Sequence, residues 1–222
     1  MTTNSATIAR SGVLDSTVVD HLVYASPDLD AGIATIEALT GQSAVSGGSH
    51  AGMGTRNALL RLGPSSYLEI IAPDPAQADY RCPRPFRIDE LDAPRLVTWA
   101  ARSDDVGRLA TLELPQGQSP GAALAGSRQK PDGAVLAWQF TDPQTEVAAG
   151  VIPFFIDWGD TPHPAARLPG GTSLLSLRGE HPNPDFVREC CRVLGIDMSL
   201  SVADTPALVA ILATPQGCIE LR

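Results

Sequence analysis

Thr17-Val-Val-Asp-His-Leu-Val-Tyr24, running on into Ala25-Ser-Pro-Asp-Leu29, is the stretch from which the rest of the chain is read. Its β-branched and aromatic residues favour a strand, and that strand has two apolar faces. Val19 and Val23 share the face of His21, while Leu22 and Tyr24 point the other way. A strand covered on both sides fits a sheet with a helix on its outer face and a sheltered cavity on its inner face, which puts His21 on a mostly apolar wall. The helix follows at once. Ser26 or Asp28 serves as its cap, Pro27 suits a first turn, and Asp28 and Asp30 sit at the positive end of the dipole. Leu29, Ile33, Ile36 and Thr40 recur at helical spacing, and Gly41 marks the stop. Asn57 to Leu62 and Tyr67 to Ala72 then read as strands joined by a hairpin over Gly63-Pro-Ser-Ser66.

Outward from this segment the same order returns twice. In the second copy Leu96 to Ala101 reads as a strand, Ser103 as the cap of a short helix through Val106, Leu109 and Leu112, and Ala134 to Phe140 and Val151 to Trp158 as strands. The intervening Pro115 to Gly133, rich in Gly, Pro, Gln and Ser, reads mainly as a loop. In the third copy Thr172 to Leu177 is a strand, and Asp185 to Leu194 carries Val187, Cys190, Cys191 and Leu194 at i, i+3, i+4, i+7 before Gly195. Ala207 to Ala213 and Cys218 to Leu221 form a hairpin over Thr214-Pro-Gln-Gly217. The expected architecture is one α+β domain over 1–222 made of repeated βαβββ modules at 15–74, 94–158 and 170–222, with curved mixed sheets around a cavity and helices outside. Residues 1–14 are expected to be a flexible tail. Pro73 to Pro94, with five prolines, and Gly159 to Gly171 read as linkers.

Composition narrows the class of function. The 222 residues are 43% apolar and 18% charged, as in a globular protein. Sixteen basic against 25 acidic residues give a net charge of −9, which argues against a phosphate-backbone binder and hence against a nucleic-acid partner. No apolar run approaches the roughly 20 residues that cross a bilayer, and the N-terminal stretch has no secretory pattern. Cys82, Cys190, Cys191 and Cys218 lack a Cys-x-x-Cys spacing, so they read as reduced, mostly buried thiols of a cytoplasmic protein.

The residues able to do chemistry converge on the first copy. Glu69 lies in Tyr67-Leu-Glu-Ile-Ile71, where an ionised carboxylate between apolar neighbours needs a partner or a metal. His50 ends Gly47-Gly-Ser-His50, read as a glycine-rich loop leading into Thr55-Arg-Asn57. With His21 these make an N/O ligand set suited to zinc, iron, manganese or nickel, and His50 and Glu69 could equally act as general acid and base. Arg56 and Asn57, beside the loop, suit a substrate carboxylate or phosphate. Asp157 and Glu220 occupy last-strand places like that of Glu69 and are weaker candidates for the same cavity. Trp99 and Trp158, with Trp138, are candidates for core or pocket wall. Each has a plain structural alternative: a satisfied strand histidine, an edge carboxylate, a surface arginine. No Gly-Lys-Ser/Thr follows the glycines, so no nucleotide cofactor is expected. His163 and His181, in proline-flanked loops, are expected at the surface.

Asp20-His-Leu-Val-Tyr-Ala-Ser-Pro-Asp-Leu29, Gly47-Gly-Ser-His50, Gly54-Thr-Arg-Asn-Ala58 and Tyr67-Leu-Glu-Ile-Ile-Ala-Pro73 together resemble the glyoxalase-like family of the vicinal oxygen chelate superfamily. The resemblance is dense over residues 17–75 and weaker beyond. It implies paired βαβββ modules enclosing a divalent metal, with His21 and Glu69 at the first-module ligand positions and His50 an addition facing the same cavity. It further implies a small-molecule lyase, isomerase or dioxygenase-like enzyme whose metal polarises substrate oxygens. The alternative is a metal-free binder that sequesters a small molecule. A homodimer is compatible with either. The second-module strand Leu96-Val-Thr-Trp-Ala-Ala101 offers no ligand, a departure from the superfamily's metal enzymes that makes glyoxalase I chemistry doubtful.

Overall fold

The computed structural model describes residues 19–129 and 133–222; the expected 1–14 tail, Thr17 and Val18 lie outside them. The opening strand β1 (Val19–Ala25) is buried along its whole length. After it come helix α1 (Leu29–Thr40) and strands β2 (Val45–His50), β3 (Thr55–Gly63) and β4 (Ser66–Pro73). The second module repeats the order with β5 (Arg95–Arg102), α2 (Val106–Leu109), β6 (Ala123–Gln129), β7 (Val135–Thr141) and β8 (Phe154–Asp157). The third has β9 (Ser173–His181), α3 (Pro184–Leu194), β10 (Ser199–Val202), β11 (Ala207–Thr214) and β12 (Gly217–Leu221).

Modules one and two close into an eight-stranded barrel in the order β1-β4-β3-β2-β6-β7-β8-β5. Within each, the first strand runs parallel to the last, β1 beside β4 and β5 beside β8, and the remaining pairs are antiparallel. The halves join along two seams. One is the long antiparallel β1–β5 ladder; the other, between β2 and β6, is among the described residues the pair Ser49↔Gln129. The third module keeps the element order but not the pairing: its open sheet runs β10-β9-β11-β12, with its first strand parallel to its second. One continuous core joins Leu22, Leu68 and Trp99 of the barrel with Ile36 of α1, Val187 and Cys190 of α3 and Leu212 of β11. Burying each such aliphatic side chain contributes about 1.5–3 kcal/mol, so this sheet is held to the barrel's outer face by packing.

Local chemistry explains several differences from expectation. Asp28, not Ser26, caps α1 by accepting from the Ala31 N–H at 2.9 Å, which leaves Pro27 ahead of the helix. Asp105, not Ser103, caps α2, and the Ser103 hydroxyl instead accepts from the Asp105 N–H. Gly47-Gly-Ser-His50 is strand, not loop. Gly47 is required there because a Cβ would collide with the side chains of Asn57 and Arg128. Part of the expected loop before Gly133 is strand β6, held by its ladders to β7 and β2. The Val151–Trp158 strand shortens to Phe154–Asp157 because Ala148–Gly150 form a helical turn just before it. Val19 joins the outer core and not the face of His21, since the β1–β5 register slips between those two residues. All four cysteines are free; Cys190 and Cys191 are buried, whereas Cys82 and Cys218 are exposed. Among the described residues no helix is long and apolar enough to cross a membrane.

Candidate metal centre and cavity

Strand alternation decides which side chains enter the barrel. On β1 these are His21, Val23 and Ala25, on β4 Tyr67, Glu69 and Ile71, and on β3 Thr55, Asn57 and Leu59, while Leu22, Ala58, Leu60, Leu68 and Ile70 face the outer core. Glu69 lies beside Val23 on β1 and Leu59 on β3 in the ladders, so the carboxylate sits in the middle of the inner wall. Leu59, Tyr67 and Ala165 fill one end of the barrel. Above them is a cavity of about 50 Å³, partly open to solvent.

Both expected histidines face it. His21 Nε2 is 3.7 Å from Glu69 Oε2, and His50 Nε2 is 3.7 Å from Glu69 Oε1. His21, His50 and Glu69 are all less than a tenth exposed. Each imidazole is anchored through its other nitrogen. His21 Nδ1 meets Asp20 Oδ1 at 2.9 Å, and His50 Nδ1 meets Thr55 Oγ1 at 2.9 Å. Burial alone would raise the Asp20 carboxyl, but hydrogen bonds and charge from His163 and His21 outweigh it and hold the group well below the usual carboxylate range. An ionised carboxylate only accepts, so a proton resides on His21 Nδ1, and Nε2 faces the cavity. Asp20 is itself held by Trp158 Nε1 at 3.2 Å, His163 Nε2 at 3.2 Å and Arg102 Nε at 3.4 Å. His21 also stacks on Tyr67, with ring centroids 4.7 Å apart. Burial lowers the His50 pKa, with Arg128 adding to the effect against the pull of Glu69. Burial, reinforced by Asp20 and Glu69, raises Tyr67 well above the ordinary phenol.

Two donors sharing one ion at about 2.1 Å lie no more than about 4.2 Å apart, so each histidine–glutamate pair is within range of a common metal. Two imidazole nitrogens and a carboxylate form a donor set that suits a divalent first-row ion, and their outer partners are of the kind that orient metal-bound histidines. As placed, no group of three or more His, Cys, Asp or Glu among the described residues is gathered closely enough to hold a metal ion. Glu69 Oε1 is instead engaged by Asn57 Nδ2 at 2.5 Å.

The other candidates divide. Asn57 and Trp158 line the cavity. Arg56 does not, because its neighbour Asn57 takes the inward position; its Nε is buried without a hydrogen-bond partner. Trp99 is not a ligand-contact residue: it is fully buried in the outer core, with Nε1 donating to the Val151 carbonyl at 2.9 Å. Asp157 ends β8 outside the cavity and accepts from the Gly159 N–H at 2.8 Å. Glu220 is exposed on β12 of the separate sheet, bound to Arg222. His163, expected at the surface, packs instead against Asp20, Tyr67 and Trp158.

Several site residues were not anticipated. Phe86, from the supposed Pro73–Pro94 linker, lines the cavity from a turn where it holds φ 62°, and its ring lies 5.8 Å from Phe154. Phe140 and Phe154 of the second module complete an apolar wall with Trp138, which the sequence offers as pocket wall, and Arg128 of β6 adds a cation. Only the proline density of the linker hinted that it could be a shaped element.

Comparison with known proteins bears on the fold. A family model described as a glyoxalase-like domain matches residues 19–194. A hypothetical protein from Staphylococcus aureus superposes with a TM-score of 0.60 at 15% identity, covering 91% of this chain and 83% of its own. Methylmalonyl-CoA epimerase from Mycobacterium tuberculosis gives 0.41 at 22% identity, covering 69% and 94%. No protein of curated function matches the chain.

Proposed function

Because this chain belongs to the glyoxalase-like domain family, within the vicinal oxygen chelate superfamily, we propose that it is a small-molecule enzyme of the lyase, isomerase or dioxygenase-like type in which His21, His50 and Glu69 hold a divalent metal. One observation carries this reading: two imidazoles, each anchored through Nδ1, aim Nε2 at the two oxygens of one buried carboxylate in the wall of the barrel cavity. Bound there, zinc, manganese, nickel or iron would act as a Lewis acid on substrate oxygens.

The protein's own groups do the rest. Asp20 fixes the tautomer and ring plane of His21, and Trp158 and His163 fix Asp20. Burial keeps His50 uncharged, so its Nε2 lone pair is free to bind the metal or, if only His21 and Glu69 ligate, to take a proton instead. Asn57 restrains Glu69 so that its oxygens stay presented to the two rings. Phe86, Trp138 and Phe154 exclude water from the cavity, which strengthens every polar interaction inside it.

The test is metal content. Protein purified without chelator is expected to carry close to one equivalent of a divalent first-row ion, and His21→Ala and Glu69→Ala to carry none while remaining folded. Wild-type protein that holds no metal, and takes up none of the four ions at micromolar concentration, would overturn the reading.

A further inference from the structure

Arg128 reaches the cavity from β6 and is only 5% exposed. Its Nη1 lies 3.4 Å from Asn57 Oδ1, a long bond to a neutral acceptor, and among the described residues no carboxylate is ion-paired with it. A buried cation left without a counter-charge is costly. The position is nonetheless built to receive it, since Gly47 on the neighbouring strand β2 lacks the Cβ that would strike both Nη1 and Asn57. Arg128 also borders an outer groove shared with Arg167, so it stands where the cavity meets the thin β2–β6 seam.

We infer that Arg128 is the anion anchor of this cavity and that the natural ligand is a monocarboxylate with an apolar body. This rests on the reading of the cavity as a small-molecule site and names the class of molecule it takes. A guanidinium presents a rigid fork of donors that matches the two oxygens of a carboxylate. One such fork balances a single negative charge, whereas a phosphate dianion would leave a net negative charge near Glu69. The apolar body packs against Trp138, Phe140 and Phe154, whose rings offer area without donors or acceptors, apart from the Trp138 N–H.

Calorimetric titration of phenylacetate and its uncharged amide, phenylacetamide, tests this on both metal-loaded and chelator-treated protein. The acid is expected to bind about tenfold or more tighter than the amide in both preparations. Arg128→Gln should erase that preference with metal content unchanged, and Arg128→Lys should keep part of it. Equal affinities for acid and amide, no binding of the acid at millimolar concentration, or a preference that survives Arg128→Gln would overturn the assignment. Inorganic phosphate binding more tightly than phenylacetate would overturn it in favour of phosphate esters. Should Arg128→Gln fail to fold, the acid-to-amide ratio of the wild-type protein decides. An acid preference that persists in a protein unable to take up metal would sink the metal reading and leave this one standing.

Discussion

The two halves of the barrel share one topology and divide the chemistry between them. The first module places His21, His50, Glu69 and Asn57 on the inner wall; the second offers Trp138, Phe140, Phe154 and the cation Arg128. At the position of β1, strand β5 contributes core: Trp99 and Ala101 belong to the outer core, and Ala100 to the barrel's apolar filling. A duplicated scaffold therefore does not imply a duplicated site. Once one half supplies the donors, the other is free to shape the ligand.

The largest effect expected from testing this division is on metal content. His21→Ala and Glu69→Ala in the first half should reduce bound metal from roughly one equivalent to none, whereas Phe140→Leu in the second should leave it intact, as elemental analysis will show. Next comes stability. Trp99→Ala, at the second-module counterpart of the ligand strand, removes a fully buried ring and should cost about 3–5 kcal/mol in urea unfolding. Its metal affinity per folded molecule should be unchanged, which marks that strand as structural.

Asp20→Asn is expected to weaken metal binding by about 10- to 100-fold, because it removes the acceptor that fixes His21. It also carries a pH signature. The folded Asp20 carboxyl titrates below its unfolded value, so its stabilising contribution is complete above about pH 4 and disappears as pH falls through the folded value. The stability gap between Asp20→Asn and wild type should thus be flat from neutral pH down to about 5 and close in stronger acid. A gap that widens on acidification would show that Asp20 is not held ionised by its partners. The smallest effect is expected at Glu220→Ala. This exposed residue of the separate sheet should alter stability by no more than about 0.5 kcal/mol and metal binding not at all.

The sequence disclosed most of the first module, because β1 and β4 carry β-branched and aromatic residues, β3 a leucine-rich run, and α1 a cap, a period and a terminating glycine. It also disclosed His21, His50 and Glu69 as a group. Strand β6, Ala-Leu-Ala-Gly-Ser-Arg-Gln, was hidden because it lacks alternation and strand-forming residues; backbone pairing on both sides makes it a strand. Arg128 was lost with it. His50 was assigned to a loop because its glycines serve close packing against Asn57 and Arg128, a need invisible before the barrel closes. Arg56 was favoured over Arg128 by proximity in sequence, yet alternation on β3 sends it outward as soon as Asn57 points in. His163 and Phe86 arrive from connecting segments whose approach depends on tertiary packing alone.

The Ser49↔Gln129 pair has a mechanical consequence. Among the described residues the cylinder is laced by a long ladder on one side and by one pair on the other, and it should loosen first at that pair. Amide hydrogens along that edge should exchange sooner than those of β1 and β5, and the opening so made lies beside the guanidinium and the outer groove it borders. Passage into the barrel would then need no hinge between domains, only a brief parting of two short strands.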